Sequence, residues 1–365
     1  VPTAAPRSHL PHFLAVLYGL AIAYASLQPF APWLAPAPGT PYFLAAPWPP
    51  RWTRFDAIAN VIAYIPFGFF IALIPRRRSV PRATAAALCA GGMLSLAMET
   101  TQMFLPSRDA STIDLIFNTA GATLGGLIAG LFARSEHAAA AAIGVREHWF
   151  LPGKVGDLGL ALLAIWLVAQ LNPGIALFAT TFDTEFPLNP AVAAAGGAPP
   201  TDIVAVLLAA ATSAFQLLGV GLFLALLLRQ RRYVGGAVLV LIGAALLVKG
   251  IAAAVLLKPA IFEHWLSPGV STGVAVGALL LLASIGLPRP VQIALAAVAL
   301  LSSVLTPLLT PEVLFARAPL WVFNWSYGHL LNFNGLTHTV LLVWPVAASA
   351  FLFALAGKPD WGEPE

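Results

Sequence analysis

Apolar runs of about twenty residues recur from one end of the chain to the other, each long enough to cross a bilayer as a helix. In lipid every backbone polar group must be bonded internally, so such runs are helices unless they alternate polar and apolar positions as barrel strands do. No such alternation is present. Of the 365 residues 59% are hydrophobic and only 9% charged, where a soluble domain carries roughly a quarter charged. The expected class is therefore all-α, a polytopic integral membrane protein. The runs lie at 13–30, 57–74, 83–105, 113–133, 156–173, 202–228, 234–257, 269–287, 291–309 and 336–356, about ten transmembrane helices. The first is read as a span, since Ala35-Pro36-Ala37 is only a weak resemblance to a signal-peptidase site. With Cys89 the single cysteine, no intramolecular disulfide is possible.

Charge placement orients these spans. If the N-terminus is cytoplasmic, the inside segments hold 13 of the 19 basic residues, including Arg7, Arg76 to Arg78, Arg82, Arg134, Arg146, Lys154 and Lys358. The outside segments hold 5, namely Arg51, Arg54, Arg108, Lys258 and Arg317. Lysine and arginine favour cytoplasmic loops, so both termini are expected inside. The expected domains are a four-helix membrane unit at 1–133, a cytoplasmic connection at 134–155 with the alanine run Ala138 to Ala142, and a six-helix unit at 156–365 with a short cytoplasmic tail. The outside connections differ in texture. Ala31 to Trp52 is proline-rich with three tryptophans, as suits an extended segment at headgroup depth. Pro173 to Pro200 has no basic residue and contains Asp183 and Glu185. The rear spans read as ordinary membrane helix, with Gly219, Gly221, Gly273 and Gly277 where helices could approach closely.

The unusual stretch is Arg54 to Gly130, which sets Asp56, Asn60, Glu99, Gln102, Arg108, Asp114 and Asn118 in or beside apolar runs. It contains an echo: Phe55-Asp56-Ala57-Ile58-Ala59-Asn60 aligns with Ile113-Asp114-Leu115-Ile116-Phe117-Asn118, and Gly68 with Gly126. Asp and Asn at i and i+4 share one helix face, and Glu99 and Gln102 at i and i+3 share another. The topology places all seven at the external membrane boundary, where two parallel helices and the intervening one would surround a shared polar pocket of the kind that binds ligands at repeat interfaces.

Simpler readings stand beside this one. Asp56 and Asp114 suit helix N-termini. Asn60 and Asn118 could bond across helices. Glu99, several residues inside its span, needs a partner, a proton or water, and Arg108 or Arg54 could supply an ion pair. Lys249 is read as snorkelling to an interface, and His264, His329 and His338 as interfacial groups without metal-site spacing. No phosphate loop, nucleophile elbow or nucleic-acid module is found.

Asn60-Val61-Ile62-Ala63-Tyr64-Ile65-Pro66-Phe67-Gly68, then Glu99-Thr100-Thr101-Gln102, then Arg108 and Asp114-Leu115-Ile116-Phe117-Asn118-Thr119-Ala120-Gly121-Ala122 with Gly125 resemble the VanZ-like family over about residues 13–133. That family's founding member is associated with teicoplanin resistance, and its members are small membrane proteins. Where many members carry two adjacent acids this chain has Ile113-Asp114, and no metal or cofactor is expected. The resemblance implies a protein of the bacterial cytoplasmic (inner) membrane whose partners are membrane lipids. It would bind or handle an envelope lipid or cell-wall-active compound, such as an undecaprenyl-linked or glycopeptide-like ligand, and Arg54 and Arg108 could hold an anionic group by charge-assisted bonds. Two alternatives stay open: a membrane enzyme using Glu99 as acid or base on a lipid-linked substrate, and a transporter.

Overall fold

The computed structural model describes residues 8–48, 53–74, 79–180, 203–259, 262–305, 323–324 and 328–357. Outside these lie Arg7, Arg51, Trp52, Arg76, Arg77, Arg78, Asp183, Glu185, Arg317 and Lys358, together with the side chains of His264 and His329. The described residues form helices α1 Leu10–Leu27, α2 Arg54–Leu73, α3 Val80–Gln102, α4 Thr112–Arg134, α5 Glu136–Trp149 and α6 Gly153–Ala169. They continue with α7 Ile203–Leu227, α8 Val234–Leu256, α9 Pro268–Ser284, α10 Arg289–Leu305 and α11 Gly328–Ala356. No strand occurs among the described residues. Seven of the helices are long and apolar enough to cross a membrane: α1 to α4, α7, α8 and α11. Two more, α9 and α10, are shorter apolar helices.

Among the described residues each apolar run overlaps a helix, and some helices begin earlier where capping residues precede the run. At α2, Thr53 Oγ1 accepts from Asp56 N at 3.1 Å while Thr53 N donates to Asp56 Oδ2 at 3.3 Å, a reciprocal cap. At α4, the Ser111 hydroxyl accepts from Ile113 N at 3.1 Å. The α5 helix lies in the stretch read as a connection and buries none of its residues.

The chain divides into two compact units, residues 1–148 with 152–161, and residues 149–151 with 162–365. In the first, α4 is the central element. Its small residues form two adjoining stripes. Gly121 and Gly125 lie against the backbone of α2 at Val61 and Ile65, so α2 and α4 run parallel. Ala122, Gly126 and Gly130 lie against Gly91, Ala87 and Val80, so α3 runs antiparallel to both. A Cβ at Gly125 would meet the Ile65 carbonyl oxygen and lie 2.8 Å from the Phe69 nitrogen, and backbone atoms cannot swing aside. Ile22 of α1 completes the core with Tyr64, Phe67 and Ala122. The start of α1 is tied to α6 through Asp157, a fully buried carboxylate that accepts from Ser8 Oγ, His9 N and Arg146 Nε at 3.1, 2.6 and 2.8 Å.

In the second unit α7 is central. Gly273 and Gly277 of α9 approach its backbone at Ala210 and Ala214, and Gly219 receives Leu300 of α10. Trp166, Phe178, Phe223, Trp344 and Phe351 form a chain of ring contacts through the interior. Residues 172–180 are not helical, yet every one is buried. The sequence reading places 173–200 as an external connection; instead 173–180 run inside the unit. Irregular backbone at membrane depth is tolerated only where protein surrounds and satisfies it. Here Ser213 donates to Leu177 O at 3.1 Å, Leu177 N donates to Trp265 O at 3.1 Å, and Thr180 Oγ1 donates to Ser303 O at 2.9 Å.

Candidate functional site

The seven residues singled out from sequence lie in the first unit, on α2, α3, α4 and the turn joining α3 to α4. Helix α3 ends at Gln102, the chain turns through Pro106, and Ser111 caps α4. Glu99, a turn before the end of α3, is 3% exposed and its Oε2 accepts from Ser111 N at 2.7 Å. Among the described residues no basic side chain lies within ion-pair distance of it. Its positive partner is the N-terminal end of α4, where free N–H groups and the helix dipole favour an anion. The arginine of the expected pairing is therefore a nearby charge, Arg108, and the direct bond comes from a helix terminus.

Arg108 and Gln102 are engaged elsewhere. Arg108 Nη2 donates to Ala25 O at 2.5 Å and its Nε to Ser26 O at 3.0 Å, while Gln102 Nε2 donates to Ser26 O at 2.8 Å. Those carbonyls belong to the last turn of α1, whose C-terminal acceptors lack partners within the helix. Both residues thus clamp α1 to the α3–α4 turn. Burial pulls the Arg108 guanidinium below its ordinary pKa, and the nearby Glu99 and Asp114 oppose that shift. Arg54 is exposed at the first position of α2.

The paired acid–amide elements behave differently from one another. Asp56 serves the cap of its own helix. Asp114 Oδ1 accepts from Asn60 Nδ2 at 2.7 Å, which joins the second acid to the first amide across α2 and α4. Asn118 is 6% exposed and turns to α3, where its Nδ2 donates to Ser95 Oγ at 3.0 Å. Its Oδ1 is buried and unbonded. The Tyr64 hydroxyl from α2 is buried facing the same Ser95 without a well-formed hydrogen bond. Ser95 and Tyr64 were missed from sequence, since a lone serine or tyrosine within a span has no distinguishing pattern. The structure thus brings Asn60, Asp114, Glu99 and Asn118 onto three touching helices. It assigns Asp56, Gln102 and Arg108 to helix ends.

The proline-rich segment covers this end of the bundle. Leu34 N donates to Phe104 O at 2.9 Å, Tyr42 Oη lies 2.7 Å from Thr100 Oγ1, and Thr112 Oγ1 donates to Phe43 O at 3.1 Å. Phe43 is 3% exposed beneath it. Among the described residues no group of three or more His, Cys, Asp or Glu side chains could hold a metal ion. Lys249, read as snorkelling, is instead fully buried in the second unit and donates to two backbone carbonyls.

Long apolar helices joined to a helix-capping polar cluster at one end define an α-helical integral membrane protein. Residues 14–133 match the model of the VanZ/LLP1 family, which makes the first four helices a VanZ-like unit, and the remaining helices lie beyond the match. Comparison with curated proteins and with solved structures gives no match.

Proposed function

We propose that the VanZ-like unit binds the polar part of an envelope lipid or cell-wall-active compound, at the external face of a bacterial cytoplasmic membrane. The binding groups are Glu99, Asp114 and Asn118, with Asn60 holding Asp114 and the 31–48 segment as cover. The observation that carries this reading is the pair of buried atoms without a well-formed hydrogen bond, Asn118 Oδ1 and the Tyr64 hydroxyl, both on residues that meet Ser95. A buried polar atom left without a partner costs about 1–3 kcal/mol, so a guest hydroxyl, amide or ordered water there is favoured. The chemistry also narrows the guest. Arg108 and Gln102 already serve the carbonyls of α1, and what remains is rich in acceptors. Such a site selects hydrogen-bond donors, such as the hydroxyls of a lipid-linked sugar or the N–H groups of a peptide, over a bare phosphate.

The test uses the full chain extracted with its native lipids and examined by native mass spectrometry. Tyr64→Phe removes that hydroxyl, and Glu99→Gln keeps an acceptor for Ser111 N while removing the charge. Both variants are expected to melt within a few degrees of wild type and to lose a lipid or lipid-linked sugar that wild type retains. Equal retention of the same species by wild type and both variants overturns the reading.

A further inference from the structure

Lys249 of α8 is a basic side chain in the interior of the second unit with no carboxylate within ion-pair distance among the described residues. Its Nζ donates to the carbonyls of Asn172 and Ile175 at 2.8 and 2.7 Å. These use two of the ammonium's three hydrogens and fix it against the buried irregular segment. A charge withdrawn from water without a counter-charge is costly, and such residues within membrane helices mark binding or transport sites.

The groups around it have hydrogen-bond donors to spare. Asn172 Oδ1 accepts from Gly174 N at 2.9 Å, which settles which way that amide faces. Its Nδ2 then donates to Asn334 Oδ1 at 2.9 Å and Thr337 Oγ1 at 2.8 Å, which settles Asn334 in turn. Asn334 Nδ2 is left buried and unbonded, as is the indole N–H of Trp265. The ring of Trp265 reaches within 4.0 Å of a Cβ built on Gly250, the neighbour of Lys249. Gln170, fully buried two residues before Asn172, has both amide atoms unbonded. The spare lysine hydrogen and the spare amide hydrogen of Asn334 favour a hydrogen-bond acceptor, and a negative one would also balance the lysine in its charged form.

We propose that the second unit binds a small monovalent anion, of halide or nitrate size, held by the third hydrogen of the Lys249 ammonium and by Asn334 Nδ2. The class follows from the residues. One cation neutralises one charge, so a phosphate dianion would remain unbalanced. No guanidinium fork is present to recognise a planar carboxylate. The complete burial of Lys249 and Gln170 favours a compact ion over an organic acid.

Thermal unfolding of the full chain in nanodiscs tests this. The chain is held in sodium gluconate while chloride, bromide or nitrate replaces gluconate at constant ionic strength. Wild type should gain melting temperature saturably with at least one of these ions, as a ligand of the native state does. Lys249→Met keeps the volume and removes the charge. It should unfold at or above the wild-type temperature in gluconate and be indifferent to the added ion. Asn334→Asp places a carboxylate beside the ammonium and should likewise be stable without the ion and unresponsive to it. A wild type that responds to none of the three ions overturns the proposal. So does a response of equal size in Lys249→Met, which marks a solvent effect. If Lys249→Met does not fold, a saturable response persisting in Asn334→Asp overturns it as well.

Discussion

Arg108 holds two carbonyls of a helix it does not belong to, so its loss should be felt in α1. Arg108→Ala removes the bonds to Ala25 O and Ser26 O. Hydrogen bonds to a charged group contribute about 1.5–3 kcal/mol, and a loss of about 2 kcal/mol in stability is expected, read as a lowered melting temperature and faster proteolysis near residue 27. Arg54→Ala, at an exposed position, should stay within about 0.5 kcal/mol of wild type. Equal effects from the two would remove the clamp from the account. This contrast marks how far single residues were legible. That Glu99 needs a partner follows from burial physics alone. That the partner is Ser111 N–H does not, because a backbone donor leaves no mark in residue types. Lys249 was misread for a related reason: the carbonyls receiving it sit more than seventy residues earlier, and a long basic side chain near a span end looks the same whether it reaches water or protein. Asp157 was also passed over at the edge of a predicted span. Asp157→Asn removes the carboxylate that pairs with Arg146, 12% exposed, and should cost on the order of 3 kcal/mol. A loss of stability below about 1 kcal/mol, read from thermal unfolding, would show the pair to be dispensable.

At the scale of elements, α4 works because it has almost no side chains where α2 and α3 cross it. Gly125→Ala would drive a methyl into the Ile65 carbonyl and the Phe69 nitrogen, forcing α2 and α4 apart. Overpacking of this kind costs roughly 1–3 kcal/mol or more, and the variant should show reduced folded yield in membranes. Gly144→Ala on α5, with open space around the new methyl, should instead be neutral or stabilise by up to about 1 kcal/mol through helix propensity. If both substitutions behave alike, the close approach is not what holds the bundle. Small-residue spacing was visible in the sequence, but it is common in any span rich in alanine and glycine. Only packing reveals that Gly121 and Gly125 serve α2 while Ala122 and Gly126 serve α3. Helix identity was easier to read than helix limits: apolar runs locate the middles, whereas Thr53, Ser111 and the prolines that open α3 and α9 lie beyond them. The segment 172–180 escaped altogether. Its proline, glycine and asparagine read as a surface loop, and nothing local to it records that other helices close around it.

For the whole molecule, the family match and the long apolar helices make this a membrane protein with a VanZ-like first unit, and the location of the proposed lipid site depends on which way that unit faces. From the excess of lysine and arginine in alternate connections, the α3–α4 turn is expected outside and the α4–α5 junction inside. These two points are the ends of one helix, and the 23 residues of α4 rise about 34 Å, enough to separate them by a full hydrocarbon core. Both ends offer an exposed serine, Ser107 and Ser135, and the single native thiol, Cys89, is itself exposed and must first be removed as Cys89→Ala. On that background Ser107→Cys should react with an impermeant maleimide in intact cells, and Ser135→Cys should react only after the membrane is opened. Labelling of Ser135→Cys alone from outside would invert the unit. It would place Glu99, Asp114 and Asn118 on the cytoplasmic side, beyond the reach of any compound that acts from outside the cell. Labelling of both from outside would show that α4 does not cross the membrane at all.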